Sequence, residues 1–248
     1  MPASDSDRAI LALLCPSERL APAFFSFCYA VEKARDRKHP MSSPSLRFEE
    51  ALVFAARLHR EQRRKGSDVP YVSHLLGVAA LVLEYGGDED EAIAALLHDA
   101  IEDQGGVAAW RKIQERFGDR VAYIVHQCSD TDQTPKPPWQ ERKNAFLARL
   151  AEAPPSALLV IAADKLHNVR SLIADHRRRG DEIWVRFSGG RDGTLWYYRA
   201  AVEILKKAIP GPLVQELARA VMELEHLSRS CSQPPVEPRE GLSPAANS

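Results

Sequence analysis

The chain has 248 residues, 45% of them hydrophobic, with Lys+Arg 33 against Asp+Glu 34. That balance suits one or two soluble domains with a sizeable core, and it excludes a global field that would recruit nucleic acid or an acidic membrane. Any anion binding must come from a local cluster.

Cys15, Cys28, Cys128 and Cys231 lie far apart with no Cys-x-x-Cys pair, the pattern of free thiols in a reducing cytosol. The opening "MPASDSD" lacks a positive n-region, and "CPSERLAP" interrupts the apolar residues before Tyr29 too soon for a bilayer span. A cytoplasmic chain without a targeting segment is expected. Residues 1–45 end in the linker-like "ARDRKHPMSSPS". They read equally as a helical extension packed on the domain or as sequence upstream of a translation start at Met41.

The main domain is expected over 46–228, and its periodicity is helical almost throughout. Phe48, Leu52, Ala55, Ala56 and His59 share one face of a first helix, followed by the basic run "RRKGSD". A second helix begins near Pro70, with Ser67 or Asp68 as N-cap, and stops at Gly86-Gly87. Asp88 with Glu91 resembles a capping box for a third helix, which contains "ALLHDAIEDQ". Further helices are predicted near 107–117, 119–128, 139–150 and 155–174. The segment "SDTDQTPKPP" reads as a loop, and "SGGRDGT" as a turn leading into helices at 194–207 and 211–228. Residues 229–248, rich in Ser and Pro, read as a disordered tail. With no strand alternation and no repeat, the fold class is all-α.

In the third helix, Ile93, Leu96, Leu97, Ala100 and Ile101 form an apolar stripe at about 100° per residue, and His98, Asp99, Glu102 and Asp103 fall opposite. Taken alone, that is an ordinary solvated face. Two apolar segments argue otherwise, because His74 lies within "PYVSHLLGVAALVL" and Asp164 closes "ALLVIAAD". Buried carboxylates are paired or bound to metal. Two imidazoles and two carboxylates form a borderline N/O set suited to Mn, Fe, Co, Ni or Zn. A divalent cation there lowers the pKa of water and polarises a phosphoryl oxygen. Glu102 and Asp103, one turn further on, can then manage protons. Arg63, Arg64 and Lys65 read as a solvated helix end or as a phosphate clamp. Asn168 shares the face of Asp164, and His167 reads as structural.

In their order, "RKGSDVPYVSHLLGVAALV", "GGDEDEAIAALLHDAIED", "IQERFGDRVAYIV" and "ADKLHNVRSL" resemble the HD-domain metal-dependent phosphohydrolases, and more narrowly the (p)ppGpp hydrolase domains of RelA/SpoT homologues. The resemblance covers roughly residues 46 to 210. It implies an HD-domain helical bundle and a stand-alone small alarmone hydrolase, since the residues after position 205 are too few for a synthetase domain. It also implies His74, His98, Asp99 and Asp164 as ligands of one ion, usually manganese, with Glu102 and Asp103 as the catalytic pair. Arg64, Lys65, Asn168 and Ser171 are implied on the substrate side, although many relatives carry threonine where this chain has Ser171. His-Pro is usual in long members where this chain has His74-Leu75. The implied reaction is hydrolysis of the 3′-pyrophosphate of ppGpp or pppGpp. Adenine alarmones or the 2′-phosphate of NADPH are alternative substrates of the same site, and a non-catalytic nucleotide sensor is a third reading. "RFSGGRDGTLWYYRA" also resembles the small members, with Trp196, Tyr197 and Tyr198 either stacking near a base or packing the last helices.

Overall fold

The computed structural model describes residues 43–131 and 135–230. Most of residues 1–45 and of the expected tail 229–248 lie outside them. Among the described residues the architecture is all-α, and no helix is long and apolar enough to cross a membrane.

Helix α1 (Leu46–Leu58) opens on Ser45, whose hydroxyl accepts from the Arg47 amide, and buries Ala51 and Ala55. The basic run that follows is not the start of a helix. It is a tight hairpin, in which Arg63 bridges Pro70, the Arg64 amide donates to Val69 O at 2.9 Å, and the Tyr71 amide donates to Gln62 O at 3.0 Å. Gly66 makes the turn at φ 75, a conformation that side chains other than glycine rarely adopt. The expected caps Ser67 and Asp68 therefore sit in the hairpin. Helix α2 (Val72–Glu84) starts after Tyr71 with no side-chain cap.

Asp88 and Glu91 form the predicted capping box of α3 (Glu89–Leu97). The predicted single helix breaks at His98 and Asp99, and α4 (Ala100–Gln104) takes off from Asp99 at φ −95, ψ 0. The break is where the solvated-face reading fails. Helix α3 is buried on nearly every side, and His98 keeps only 2% exposure. Helices α5 (Gly106–Phe117) and α6 (Asp119–Cys128) follow, then α7 (Trp139–Leu150).

Helix α8 (Pro155–Arg179) runs through the centre and touches α2, α3, α6, α9 and α10. Its run from Ser156 to Asp164 is buried throughout, which is why the apolar pattern of "ALLVIAAD" has no polar face. It extends past the predicted end at 174 to Gly180, and a 3-10 helix, Gly180–Arg186, follows. Helix α9 (Gly190–Ala208) starts earlier than predicted, and α10 (Pro212–Ser230) completes the bundle. Tyr197 and Tyr198 are buried, and Trp196 meets Trp139 edge-on at 6.3 Å, so this stretch packs the last helices.

Candidate metal centre

Three helical segments converge on one point. Helix α2 contributes His74, the α3–α4 break contributes His98 and Asp99, and α8 contributes Asp164. Ligand atoms of His74, His98 and Asp99 all lie within 4.8 Å of one another. Asp164 joins through Oδ1, which is 3.2 Å from His74 Nε2 and 3.5 Å from His98 Nε2. Asp99 Oδ2 is 2.9 Å from His98 Nε2 and 3.6 Å from His74 Nε2.

Both imidazoles are held from behind through Nδ1. His98 Nδ1 is 2.8 Å from Ala95 O, an acceptor only, so Nδ1 carries a proton and Nε2 is the atom turned toward the shared point. His74 Nδ1 faces His167 Nδ1 at 2.9 Å. Burial, followed by the His74 and Arg64 neighbours, lowers the His167 pKa to about 4, so that ring is a neutral partner. The close approach depends on Gly77, where an added Cβ would stand 2.3 Å from His167 Cδ2.

Both Nε2 atoms are buried without a hydrogen-bond partner among the described residues, although carboxylate oxygens stand beside them. Carboxylates this close to buried imidazole nitrogens require a positive charge between them, supplied by a proton on Nε2 or by a metal ion that displaces it. Burial alone would lower the His98 pKa, but Asp99 and Asp164 outweigh it and hold it well above the ordinary value. Burial likewise opposes ionisation of both aspartates. His98 overcomes it at Asp99, and Lys165 does so at Asp164, leaving each well below the usual carboxylate range. The pocket demands positive charge, and a borderline N₂O₂ set fits a divalent transition ion.

A second layer of contacts holds these groups. Tyr71 Oη donates to Asp99 Oδ2 at 2.5 Å. The Lys165 ammonium donates to Asp164 Oδ2 at 2.7 Å and lies over the Phe146 and Tyr197 rings. Asn168 Nδ2 donates to Asp164 Oδ1 at 2.5 Å while its Oδ1 accepts from Arg64 at 2.7 Å. Asn168 thus ties the basic hairpin to the metal centre. The Ser171 hydroxyl donates to His167 O within its own helix. Arg64 also stacks on Tyr71, and Lys65 stands over Phe187, its loop pinned by Arg186 donating to Lys65 O at 3.1 Å.

The acidic pair differs from the four ligands. Glu102 accepts from Lys136 Nζ at 2.9 Å and from the Asp130 amide at 3.3 Å. Asp103 accepts from Gln62 Nε2 at 2.7 Å, and its side chain keeps 28% exposure. Partial burial and the Asp99 charge raise the Asp103 pKa, against the Gln62 hydrogen bond. Sequence reading missed Gln62, Tyr71, Lys165 and the Lys136/Arg142/Lys143 group, which gathers around Glu102 and Asp130. Gln62, Tyr71 and Lys165 lie within or beside the quoted motifs, whereas Lys136, Arg142 and Lys143 lie outside them and gave no sequence signal.

A family model described as HD domain matches residues 51–195, which include every residue of this centre. The guanosine-3′,5′-bis(diphosphate) 3′-pyrophosphohydrolase MESH1 of Xenopus tropicalis is 40% identical over 169 residues, 67% of this chain and 87% of that protein. Its Homo sapiens counterpart is 38% identical over 135 residues, 53% of this chain and 73% of that one. The solved structure of a metazoan ortholog of SpoT that hydrolyses ppGpp superposes with a TM-score of 0.59 at 27% identity, covering 77% of this chain and 98% of that chain. A Listeria monocytogenes EGD-e protein superposes at 0.53 with 31% identity, over 62% of this chain and 97% of that one. With this centre, these matches and an all-helical bundle, the chain belongs to the HD-domain hydrolase family, in the branch that includes MESH1.

Proposed function

We propose that this protein is a metal-dependent hydrolase of the 3′-pyrophosphate of ppGpp and pppGpp, acting in the cytosol on alarmones of the stringent response. One observation supports the metal-dependent chemistry: two buried imidazole Nε2 atoms and two carboxylates converge on one point, with no hydrogen bond on either Nε2 among the described residues. The relatives at 40% and 38% identity, named for that hydrolysis, support the substrate class.

His74, His98, Asp99 and Asp164 hold one ion, for which manganese is our choice. When bound, a divalent cation neutralises phosphoryl charge and brings water within reach of deprotonation near neutral pH. Arg64 and Lys65 bind the diphosphate, Arg as a fork and Lys as a point charge. Asn168 and Ser171 border the same side of the substrate. Asp103, its pKa raised, and Glu102, beside Lys136, take a proton from the water and return one to the departing oxygen. The water oxygen bonds to the phosphorus next to the ribose 3′ oxygen, the P–O3′ bond breaks, and GDP or GTP leaves with pyrophosphate.

Comparing kcat/KM for ppGpp, an adenine 3′-diphosphate analogue and NADPH, with manganese present, tests the reading. The guanine substrate is expected to lead, with pyrophosphate as product. A higher value for NADPH, with release of orthophosphate, reassigns the substrate. Binding without turnover on all three makes the protein a sensor.

A further inference from the structure

Outside the residues already assigned, the side chains of α1 and the hairpin form a connected set. His59, with 2% exposure, closes α1 and stacks on Tyr71 at 5.3 Å. Its Nδ1 lies 2.7 Å from Gln62 Oε1, which also accepts from Gln104 Nε2 at 2.7 Å. An ionised Asp103 Oδ2 can only accept, so Gln62 turns Nε2 toward it and leaves Oε1 for the Gln104 amide and the His59 ring N–H. Gln62 and Tyr71 are paired across the base of the hairpin by a backbone hydrogen bond. From that base one side chain grips Asp99 and the other grips Asp103.

We propose that Gln62 is a positioning residue for the reaction: clamped by His59 and Gln104, its amide fixes the Asp103 carboxylate so that Oδ1 stays free to exchange protons. The inference rests on the reading of Asp103 as the acid–base group. Without Gln62, the hydrogen bond to Asp103 Oδ2 is lost, and Lys136, 3.9 Å from Oδ1, draws the carboxylate elsewhere. Misplacing a reacting group by about 1 Å costs up to about 100-fold in rate.

The test is a double-mutant cycle on the manganese-loaded full chain, with ppGpp as substrate. Gln62→Met keeps the shape and removes the donor. It is expected to lower kcat between about 10- and 100-fold with KM within about twofold. In an Asp103→Asn background the same change is expected to alter kcat less than about twofold, because the group it positions no longer exchanges protons. An equal loss in both backgrounds, a loss confined to KM, or no loss at all overturns the inference. If Asp103→Asn itself leaves kcat intact, the reading of Asp103 fails, and this inference with it. Should Gln62→Met not fold, Gln104→Leu decides: it loosens the same amide, so kcat falls if the clamp acts and stays at the wild-type value if it does not.

Discussion

Helix α8 carries two charged clusters, one around Asp164 and one around Asp175, and they are built on opposite rules. At Asp175 every charge meets its opposite: Arg186 donates to Oδ2 at 3.0 Å, and Arg178 pairs with Oδ1. Nearby, Arg170 and Arg177 reach Glu216 and Glu223 of α10. At Asp164 the helix is buried, and two imidazoles are aimed at carboxylates with no hydrogen bond between them. The first arrangement satisfies itself and serves the fold. The second is complete only with a cation, and that incompleteness marks it as the functional end.

The comparison breaks most visibly at the metal centre. Asp99→Ala or Asp164→Ala should reduce pyrophosphate release by more than the roughly 10²–10⁴-fold that loss of an acid–base group costs, and added manganese should not restore it. Thermal melting in chelator should change little by comparison, since the pocket's repulsion is relieved. Steady-state kinetics and melting of the same samples check both halves.

A smaller effect is expected one layer out. Gly77→Ala places a methyl where His167 now sits, so the ring must move and release His74. Metal affinity should fall about 10- to 100-fold, the usual loss for an outer partner of a ligand. Alanine is the better helix former by about 1 kcal/mol, so stability should hold while calorimetric affinity drops. Parallel losses of both would mean that Gly77 serves packing alone.

The smallest effect belongs to the self-satisfied cluster. Burial works to raise the Asp175 pKa, but Arg178 and Arg186 outweigh it and hold it below the ordinary value. A depressed carboxylate stabilises the fold fully above the unfolded pKa of about 3.9, and this is lost as pH falls through the lower folded value. Asp175→Asn should therefore cost about 1 kcal/mol near pH 7, with the gap to wild type closing below about pH 4. Urea melts at both pH values measure it. Arg177→Ala, at an exposed pair, should cost less than that.

The two clusters also differ in how far the sequence announced them. Apolar periodicity located the helices, and His74 and Asp164 stood out because each was polar inside an apolar run. The break at His98–Asp99 was invisible to periodicity, since both halves continue the same helical pattern, while α3 packs on α2 and α8 and α4 packs chiefly on α5. The hairpin was hidden for a related reason. Its two sides pair through backbone groups, which no side-chain pattern encodes, so Ser67 and Asp68 resembled caps. Gln62 and His167 were illegible as partners because their roles depend on contacts with Asp103 and His74, far along the chain.

The most direct measurement is a manganese titration of metal-stripped protein, followed by calorimetry and by pyrophosphate release on the same samples. The account predicts one ion bound per chain, activity rising in step with occupancy, and both lost in Asp164→Ala. Full turnover in the presence of a strong chelator, or undiminished binding by that variant, would contradict it.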